Sequence, residues 1–390
     1  MKIGIFTDSY LPYTSGVVRS IQTFTSELRS RGHSIYIFAP RYKNCSEEEG
    51  VFRFASVPSP TNRDFALAVP YSPRFKPTIQ RLDLDLIHTH SPFLLGRLGA
   101  RYARKLGLPL VFTFHTLYDQ YVHYVPFARS FTKELAQYIS RDFCNQCDLV
   151  IVPTRITEDY LRTIGVEAEI KIVPTGIKIE DFQCGKADWL HSRYNIPENK
   201  RILLFVGRMG QEKNIDFLLE SYSIVFKEVP ESVLVLVGSG PEEEELKRKA
   251  VNAGIAQQVI FTGALEPREV VHAYASADIF VFSSVTETQG IVIAEAKASG
   301  LPVVALKAYG ASEMVEDGLD GFLTEPEPQK FAEKICLILK NSQLRHSLSK
   351  RARINAEKFS SAHCTSLLLD CYEKLLQNKK STGKRLKQND

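Results

Sequence analysis

Short, almost wholly apolar runs recur along this chain, each followed by a stretch of helical periodicity, and that alternation restricts the fold more than any other feature. The runs are Ile3 to Thr7, Ser34 to Ala39, Leu86 to His90, Leu110 to His115, Leu149 to Pro153 and Ile170 to Val173. A fresh series begins at Arg201 to Gly207 and continues through Val233 to Val237, Val259 to Thr262, Ile279 to Ser283 and Val303 to Leu306. Strands apolar on both faces belong to parallel sheets with helices on both sides, so the fold class is α/β, with one doubly wound sheet per series. At 390 residues and 44% hydrophobic content the chain exceeds one ordinary core, and two domains of about 180 residues fit it.

Pro174, Gly176, Gly185 and Pro197 punctuate a stretch without strong periodicity from Gly176 to Lys200, which reads as a linker. The expected boundary lies near 178, giving domains 1–178 and 179–358. Two helical patterns, Ser342 to Phe359 and Ala362 to Leu376, close the chain before a basic polar tail over 378–390 that is expected to be disordered. No apolar run approaches the roughly 18 residues that cross a bilayer. Met1-Lys-Ile-Gly-Ile-Phe-Thr reads as a strand and not as a leader, and net charge is +4. Seven cysteines, an odd number without a disulfide rhythm, suit a reducing, cytosolic compartment. Cys144 and Cys147 stand at redox-motif spacing but end an apolar helix, where core packing is the expected role.

Chemistry concentrates at strand ends. Glu287 and Glu295 stand eight positions apart around Gly290. The strand before them and the helical spacing of Ile291, Val292, Ala294, Ala296 and Ala298 after them define a strand-loop-helix unit. Glu287 then occupies a loop at the carboxyl end of a strand, where open parallel sheets bind ligands, and the N–H groups after Thr288 form a helix start suited to phosphate. The bland alternative is a surface loop with two solvated glutamates. Arg208 and Lys213 follow the strand end at Gly207 and can neutralise a diphosphate; as a turn with two solvated charges they would do nothing. Gly16, preceded by the capping candidates Thr14 and Ser15, opens a helix after the first strand. It does not belong to a G-x-G-x-x-G fingerprint, which argues against a nicotinamide enzyme. His88 and His90 alternate onto one face and could hold a metal, but no third ligand has fitting spacing, and a packed or hydrogen-bonded role is expected. Asp83-Leu-Asp85 precedes its strand and so lies at the wrong end of the sheet for a ligand site.

From Gly50 to Asn145 cations outnumber carboxylates, with Arg63, Arg74, Lys76, Arg97, Arg101, Arg104 and Lys105 among them. Near Phe65, Tyr71, Phe75 and Phe93 they predict a basic, aromatic-rich face for anionic lipid. The alternative is an ordinary solvated helix face. No nucleic-acid reading motif accompanies the charge.

Glu, seven residues, Glu, preceded by the paired Arg208 and Lys213, resembles the donor site of the retaining GT-B glycosyltransferases of family 4. Phe6-Thr-Asp-Ser-Tyr-Leu-Pro, Ser15-Gly-Val-Val, Ile87-His-Thr-His-Ser-Pro-Phe and Thr286-Glu-Thr-Gln-Gly are most similar to the bacterial 1,2-diacylglycerol 3-glucosyltransferases. The resemblance implies two Rossmann-like domains facing each other across a cleft, with a C-terminal helix at about 360–377 returning to the first domain. It implies that His115 and Glu287 contact the hexose, Glu295 the ribose, Gly263 and Leu265 the base, and Gly16, Arg208, Lys213, Gly290, Ile291 and Val292 the phosphates. It implies a nucleotide-sugar donor, UDP-glucose, and a lipid acceptor, diacylglycerol, at the inner face of the cell membrane. No tightly bound cofactor follows, and magnesium enters only as a stimulant. Gln289 stands where many relatives carry Phe or Ser, which bears on the hexose. Alternatives are a GDP-mannose enzyme, a phosphatidylinositol or soluble saccharide acceptor, and a non-catalytic nucleotide-sugar sensor.

Overall fold

A computed structural model describes residues 1–43, 45–59, 65–120 and 129–386. It divides into two compact units, Met1–Gly176 with Ser361–Asp390, and Ile177–Ser360.

The first unit opens with β1 (Lys2–Phe6), α1 (Gly16–Ser30), β2 (Ser34–Pro40) and β3 (Val51–Phe54), followed by the antiparallel ribbon β4 (Ser56–Pro58) and β5 (Ala66–Ala68). It continues through α2 (Phe75–Leu82), β6 (Leu86–Thr89), α3 (Leu94–Leu106), β7 (Leu110–Thr113), α4 (Arg129–Asn145), β8 (Leu149–Val152), α5 (Arg155–Thr163) and β9 (Ile170–Ile172). Seven parallel strands form its sheet in the order β3-β2-β1-β6-β7-β8-β9. The order reverses between β1 and β6, and such a switch point opens a crevice at the carboxyl ends of the two strands. On one face Ile3, Ile5, Ile37, Leu86 and Val111 pack against Val18, Ile21 and Leu28 of α1 and against Cys364, Leu368 and Tyr372 of the C-terminal helix. Each such buried side chain contributes about 1.5–3 kcal/mol. The opposite face is aromatic: Phe75 meets Phe6 and Phe38 edge-on at 6.0 and 5.4 Å.

The stretch read as a linker instead belongs to the second unit, because Ile177, Ile179, Leu190 and Ile196 are buried in its core. Irregular spacing of these anchors hides them from a periodicity test. They lead through α6 (Trp189–Tyr194) into β10 (Arg201–Val206), α7 (Ile215–Glu228), β11 (Ser232–Val237), α8 (Glu243–Asn252), β12 (Val259–Gly263) and α9 (Pro267–Ser276). The unit is completed by β13 (Ile279–Phe282), α10 (Ile291–Ala298), β14 (Val303–Leu306), β15 (Gly321–Thr324), α11 (Pro328–Lys340) and α12 (Ser342–Ala356). Its six parallel strands run β12-β11-β10-β13-β14-β15, so the switch point falls between β10 and β13.

The last helix, α13 (Ser361–Leu386), continues past Leu376, where the apolar spacing ends. Lys379 pairs with Asp148 at 3.4 Å, which ties the polar continuation to the first unit. The last four residues of the expected tail, 387–390, lie outside the described residues, as does Arg63.

Candidate active site

In the second unit both sides of the switch point carry charge. Arg208 stands exposed two residues beyond β10, and a single 3-10 turn, Gln211–Lys213, places Lys213 further along the same loop. Glu287 lies in the loop after β13, and its Oε1 is paired with Lys213 Nζ. Two serines at the end of β13 hold this arrangement. Ser283 Oγ donates to Lys213 O at 2.8 Å; Ser284 Oγ lies 3.0 Å from Glu212 O and 3.3 Å from Glu287 Oε1. Serine hydroxyls after β13 therefore tie that loop to backbone carbonyls of the β10 loop, and the two charges meet beside these bonds.

A second lysine–carboxylate pair clarifies the first. Lys297 of α10 and Asp320 lie 2.5 Å apart with side chains 2% and 0% exposed, and Asn355 and the Glu316 N–H also donate to Asp320. Sealed and saturated, that pair is structural; burial lowers the Lys297 pKa while Asp320 opposes the shift. Lys213 and Glu287 keep 17% and 18% exposure, enough to exchange partners with a ligand.

Gly290, at φ 79°, starts α10, and Ile291 and Val292 form its first turn at half-exposed positions. Glu295 sits one turn further on, 2% exposed, where Tyr274 of α9 reaches its Oε2 at 2.8 Å. Nothing in the local sequence points to Tyr274, whose ring packs against Phe182 and Phe280. The Glu287 loop rests on Gly310: the Gly310 N–H donates to Glu287 O at 2.9 Å, and a Cβ there would stand 2.0 Å from Thr288 O. Glycine at 310 is thus a packing requirement of this loop. Gly263 ends β12, its carbonyl accepting from the Gly238 N–H at 2.9 Å, and Leu265 packs half-buried against the core two residues on.

In the first unit the described residues at the switch point are mostly polar and buried. Ser15 caps α1, its Oγ accepting from the Val18 N–H at 3.3 Å, and Gly16 is the first helical residue. Asp8, beyond β1, is buried: its Oδ1 accepts from the Leu95 N–H at 2.8 Å, its Oδ2 pairs with Ser91 Oγ, and burial raises its pKa. Asp8 thereby caps α3, whose own N-cap position, Phe93, has no oxygen to offer. Three imidazoles stack near the ends of β6 and β7: His88 within β6, His90 just beyond it, and His115 beyond β7. His90 Nδ1 lies 2.8 Å from His115 Nε2, and the ring centroids of His88 and His90 are 4.3 Å apart. His88 is hydrogen bonded at both nitrogens, to Tyr372 Oη at 2.6 Å and Thr113 Oγ1 at 2.7 Å. Burial pushes the pKa of His88 and of His115 down to about 3, and that of His90 well down too, with the neighbouring rings adding to the shift at His88 and His90. Among the described residues no cluster of three His, Cys, Asp or Glu side chains is arranged to hold a metal ion.

Arg97, Arg101 and Arg104 follow one exposed stripe of α3, with Lys105 beside it 5.9 Å from the Tyr102 ring. Arg97 pairs with Asp142 at 3.4 Å and Arg104 reaches Gln146 at 3.3 Å, both on or next to α4. Phe93, Leu94, Leu98 and Pro70 line a cavity of about 350 Å³ with Arg97 and Arg101 at its side. Tyr71 is 73% exposed nearby in sequence, but Phe75, expected on this face, is buried. It supplies the aromatic core under the sheet, a demand that periodicity in an eight-residue helix does not reveal. Cys144 and Cys147 are also buried, and burial drives the Cys144 thiol up to about 12, as suits a packing role.

Comparison with known proteins bears on this geometry. Residues 14–181 match the family model for Glycosyltransferase Family 4, and 188–355 that for Glycosyl transferases group 1. The chain is 34% identical to the alpha-monoglucosyldiacylglycerol synthase of Streptococcus pneumoniae over 92% of its own length and 83% of the relative's. It is 29% identical to the enzyme of that name from Acholeplasma laidlawii, covering 98% and 100%. The crystal structure of Anabaena HepE in complex with UDP superimposes with a TM-score of 0.77 at 21% identity, over 96% of this chain and all of that one. By these matches the chain belongs to the GT-B glycosyltransferases, a hexosyltransferase built from a family 4 domain and a group 1 domain.

Proposed function

We propose that this chain is a retaining glucosyltransferase that moves glucose from UDP-glucose to diacylglycerol at the inner face of a membrane. The observation that carries the reading is the Lys213–Glu287 pair at the switch point of the second sheet, in a chain whose relatives are alpha-monoglucosyldiacylglycerol synthases. Breaking the anomeric bond leaves an oxocarbenium-like sugar and an anionic diphosphate, so catalysis demands stabilisation of charge on phosphate. Arg208, Lys213 and the start of α10 at Gly290, Ile291 and Val292 are assigned to that charge, and Gly16 to a backbone contact with the same phosphates. Glu287 and His115 are assigned to hexose hydroxyls, Glu295 to the ribose, and Gly263 and Leu265 to the base. The acceptor hydroxyl attacks on the face from which the diphosphate leaves, and the diphosphate takes its proton. No carboxylate nucleophile is required, and the cations make a tightly bound metal unnecessary, with magnesium a stimulant at most.

For the acceptor, the arginine stripe of α3 and the apolar cavity beside it suit a surface resting on anionic lipid. No helix among the described residues is long and apolar enough to cross a membrane, and the reading asks only for peripheral attachment. A second reading has its own support: the GDP-mannose-dependent alpha-mannosyltransferase of Corynebacterium glutamicum is 30% identical over 83% of this chain. Incubating the protein with diacylglycerol liposomes and labelled UDP-glucose or GDP-mannose separates the two. Glucolipid from UDP-glucose is expected, mannolipid would favour the second reading, and no glycolipid from either donor would overturn both.

A further inference from the structure

We infer that Tyr309 is a substrate-contacting residue, held in a strained backbone conformation so that its phenol covers the transferred hexose beside Glu287. The inference rests on the proposed assignment of Glu287 to the hexose and extends the sugar site to a residue on a third loop.

Tyr309 follows β14 and opens a single 3-10 turn, Tyr309–Glu313. Its φ is 38°, in the left-handed region where the Cβ of an L-residue crowds its own backbone. Among the described residues the others with positive φ, glycines apart, are Asp83, Asn195 and Asn214, whose short polar side chains tolerate this region. A bulky tyrosine does not. Glycine or asparagine would open the same turn with less strain, so the fold has no need of an aromatic residue here. Strain of this kind persists where the surroundings hold it, and it gathers at ligand sites.

Packing does not account for the ring either. Ala308 packs on the core of the second unit, whereas Tyr309, partly exposed, does not join it. Among the described residues the ring meets no other aromatic ring and Oη has no hydrogen-bond partner; only the carbonyl is held, accepting from Ser312 Oγ at 2.5 Å. The surroundings are those of the sugar site. β14 lies beside β13, with Ala305 opposite Phe282, so the loops after the two strands leave the same edge of the sheet. The next residue, Gly310, donates its N–H to Glu287 O at 2.9 Å, and Thr288 O fills the space that a Cβ at 310 would take. Tyr309 therefore stands one residue from the bond that fixes the Glu287 backbone. A phenol offers an apolar face with a hydroxyl at its tip. A hexose, with ring C–H groups and hydroxyls, presents both matching surfaces.

Two variants of the full-length protein, Tyr309→Asn and Tyr309→Gly, test this, because both relieve the strain and remove the ring. Each should unfold in urea at a midpoint no lower than that of the unaltered protein. UDP, which lacks the hexose, should bind each with unchanged affinity in calorimetric titration. Transfer from UDP-glucose to diacylglycerol liposomes should nonetheless lose roughly 10- to 100-fold in kcat/KM, as expected for one aromatic contact and its hydrogen bond. Stability and activity would then move apart, which a merely structural residue cannot produce. A lower midpoint would mean that the fold needs the tyrosine, and UDP affinity falling in step with transfer would mean that Tyr309 only shapes the loop. Either result overturns the inference, as does transfer within a few fold of normal or a change confined to the KM for diacylglycerol. Failure of the underlying reading looks different: the unaltered protein would then make no glucolipid, or Glu287→Ala would transfer glucose at the normal rate, whatever the Tyr309 variants do.

Discussion

The two sheets share one topology, and their switch points carry opposite chemistry. Between β10 and β13 the second unit gathers Arg208, Lys213 and Glu287, ions that keep contact with solvent. Around β1, β6 and β7 the first unit gathers three imidazoles that burial keeps neutral, a capped helix start, and an aspartate absorbed in capping α3. Parallel strands open a crevice in both places, but only the side chains decide what it can hold. A charged crevice suits a diphosphate. A neutral, hydrogen-bonding one suits sugar hydroxyls, which need direction and not charge.

The comparison breaks most visibly at Glu287. If the charged switch point performs the transfer, Glu287→Ala should lower kcat by about 10²- to 10³-fold, the range for removing one group aimed at a transition state. UDP binding, followed by calorimetric titration, should change little because Lys213 and Arg208 remain. Turnover within a few fold of the unaltered enzyme would remove Glu287 from the chemistry and leave the contrast between the two crevices without a functional meaning.

Most of what makes this contrast was legible in the sequence, and the remainder has a common physical cause. Central strands declared themselves through unbroken apolar runs, and with them the strand-end positions of Arg208, Glu287, His90 and His115. The edge and ribbon strands β3, β4, β5 and β15 did not, being three or four residues long and only partly buried. The partners of the site residues were equally hidden. Tyr274 reaches Glu295 from another helix, and Tyr372 reaches His88 across a separation of 284 residues. Gly310 matters only because another loop passes within van der Waals distance of it. Local pattern reports which face of an element is buried; it does not report which far segment arrives to bury it.

Acid should distinguish the units next. The folded-state pKa of His88 and of His115 is about 3 against an ordinary 6.5, so between those values the unfolded chain binds more protons than the folded one. Stability is then full above about pH 6.5 and falls as pH drops, by up to about 1.4 kcal/mol per pH unit for each imidazole. Hydrogen exchange at pH 7 and pH 5 should show protection falling more in β6 and β7 than in β10 and β13. His88→Gln, with one fewer proton to take up, should flatten the dependence. Equal loss in both sheets would mean that the imidazole stack is not what separates them.

The smallest effect falls at Gly16 and tests whether the neutral crevice meets the donor at all. Gly16 does not have a positive φ, and a Cβ there would find no atom within 4 Å, so the fold has no need of glycine at this position. Alanine should therefore be accepted, and by restricting the unfolded chain should stabilise the first unit by about 0.4–1 kcal/mol, measured by urea denaturation. Its methyl group would nonetheless stand beside the helix-start N–H groups proposed above to meet phosphate. Loss of one backbone hydrogen bond to a charged group, about 1.5 kcal/mol, corresponds to a rise of roughly tenfold in the KM for UDP-glucose. Gly16→Ala that is more stable yet binds its donor more weakly would show that this glycine serves the ligand and not the fold. An unchanged KM would confine the donor to the charged crevice.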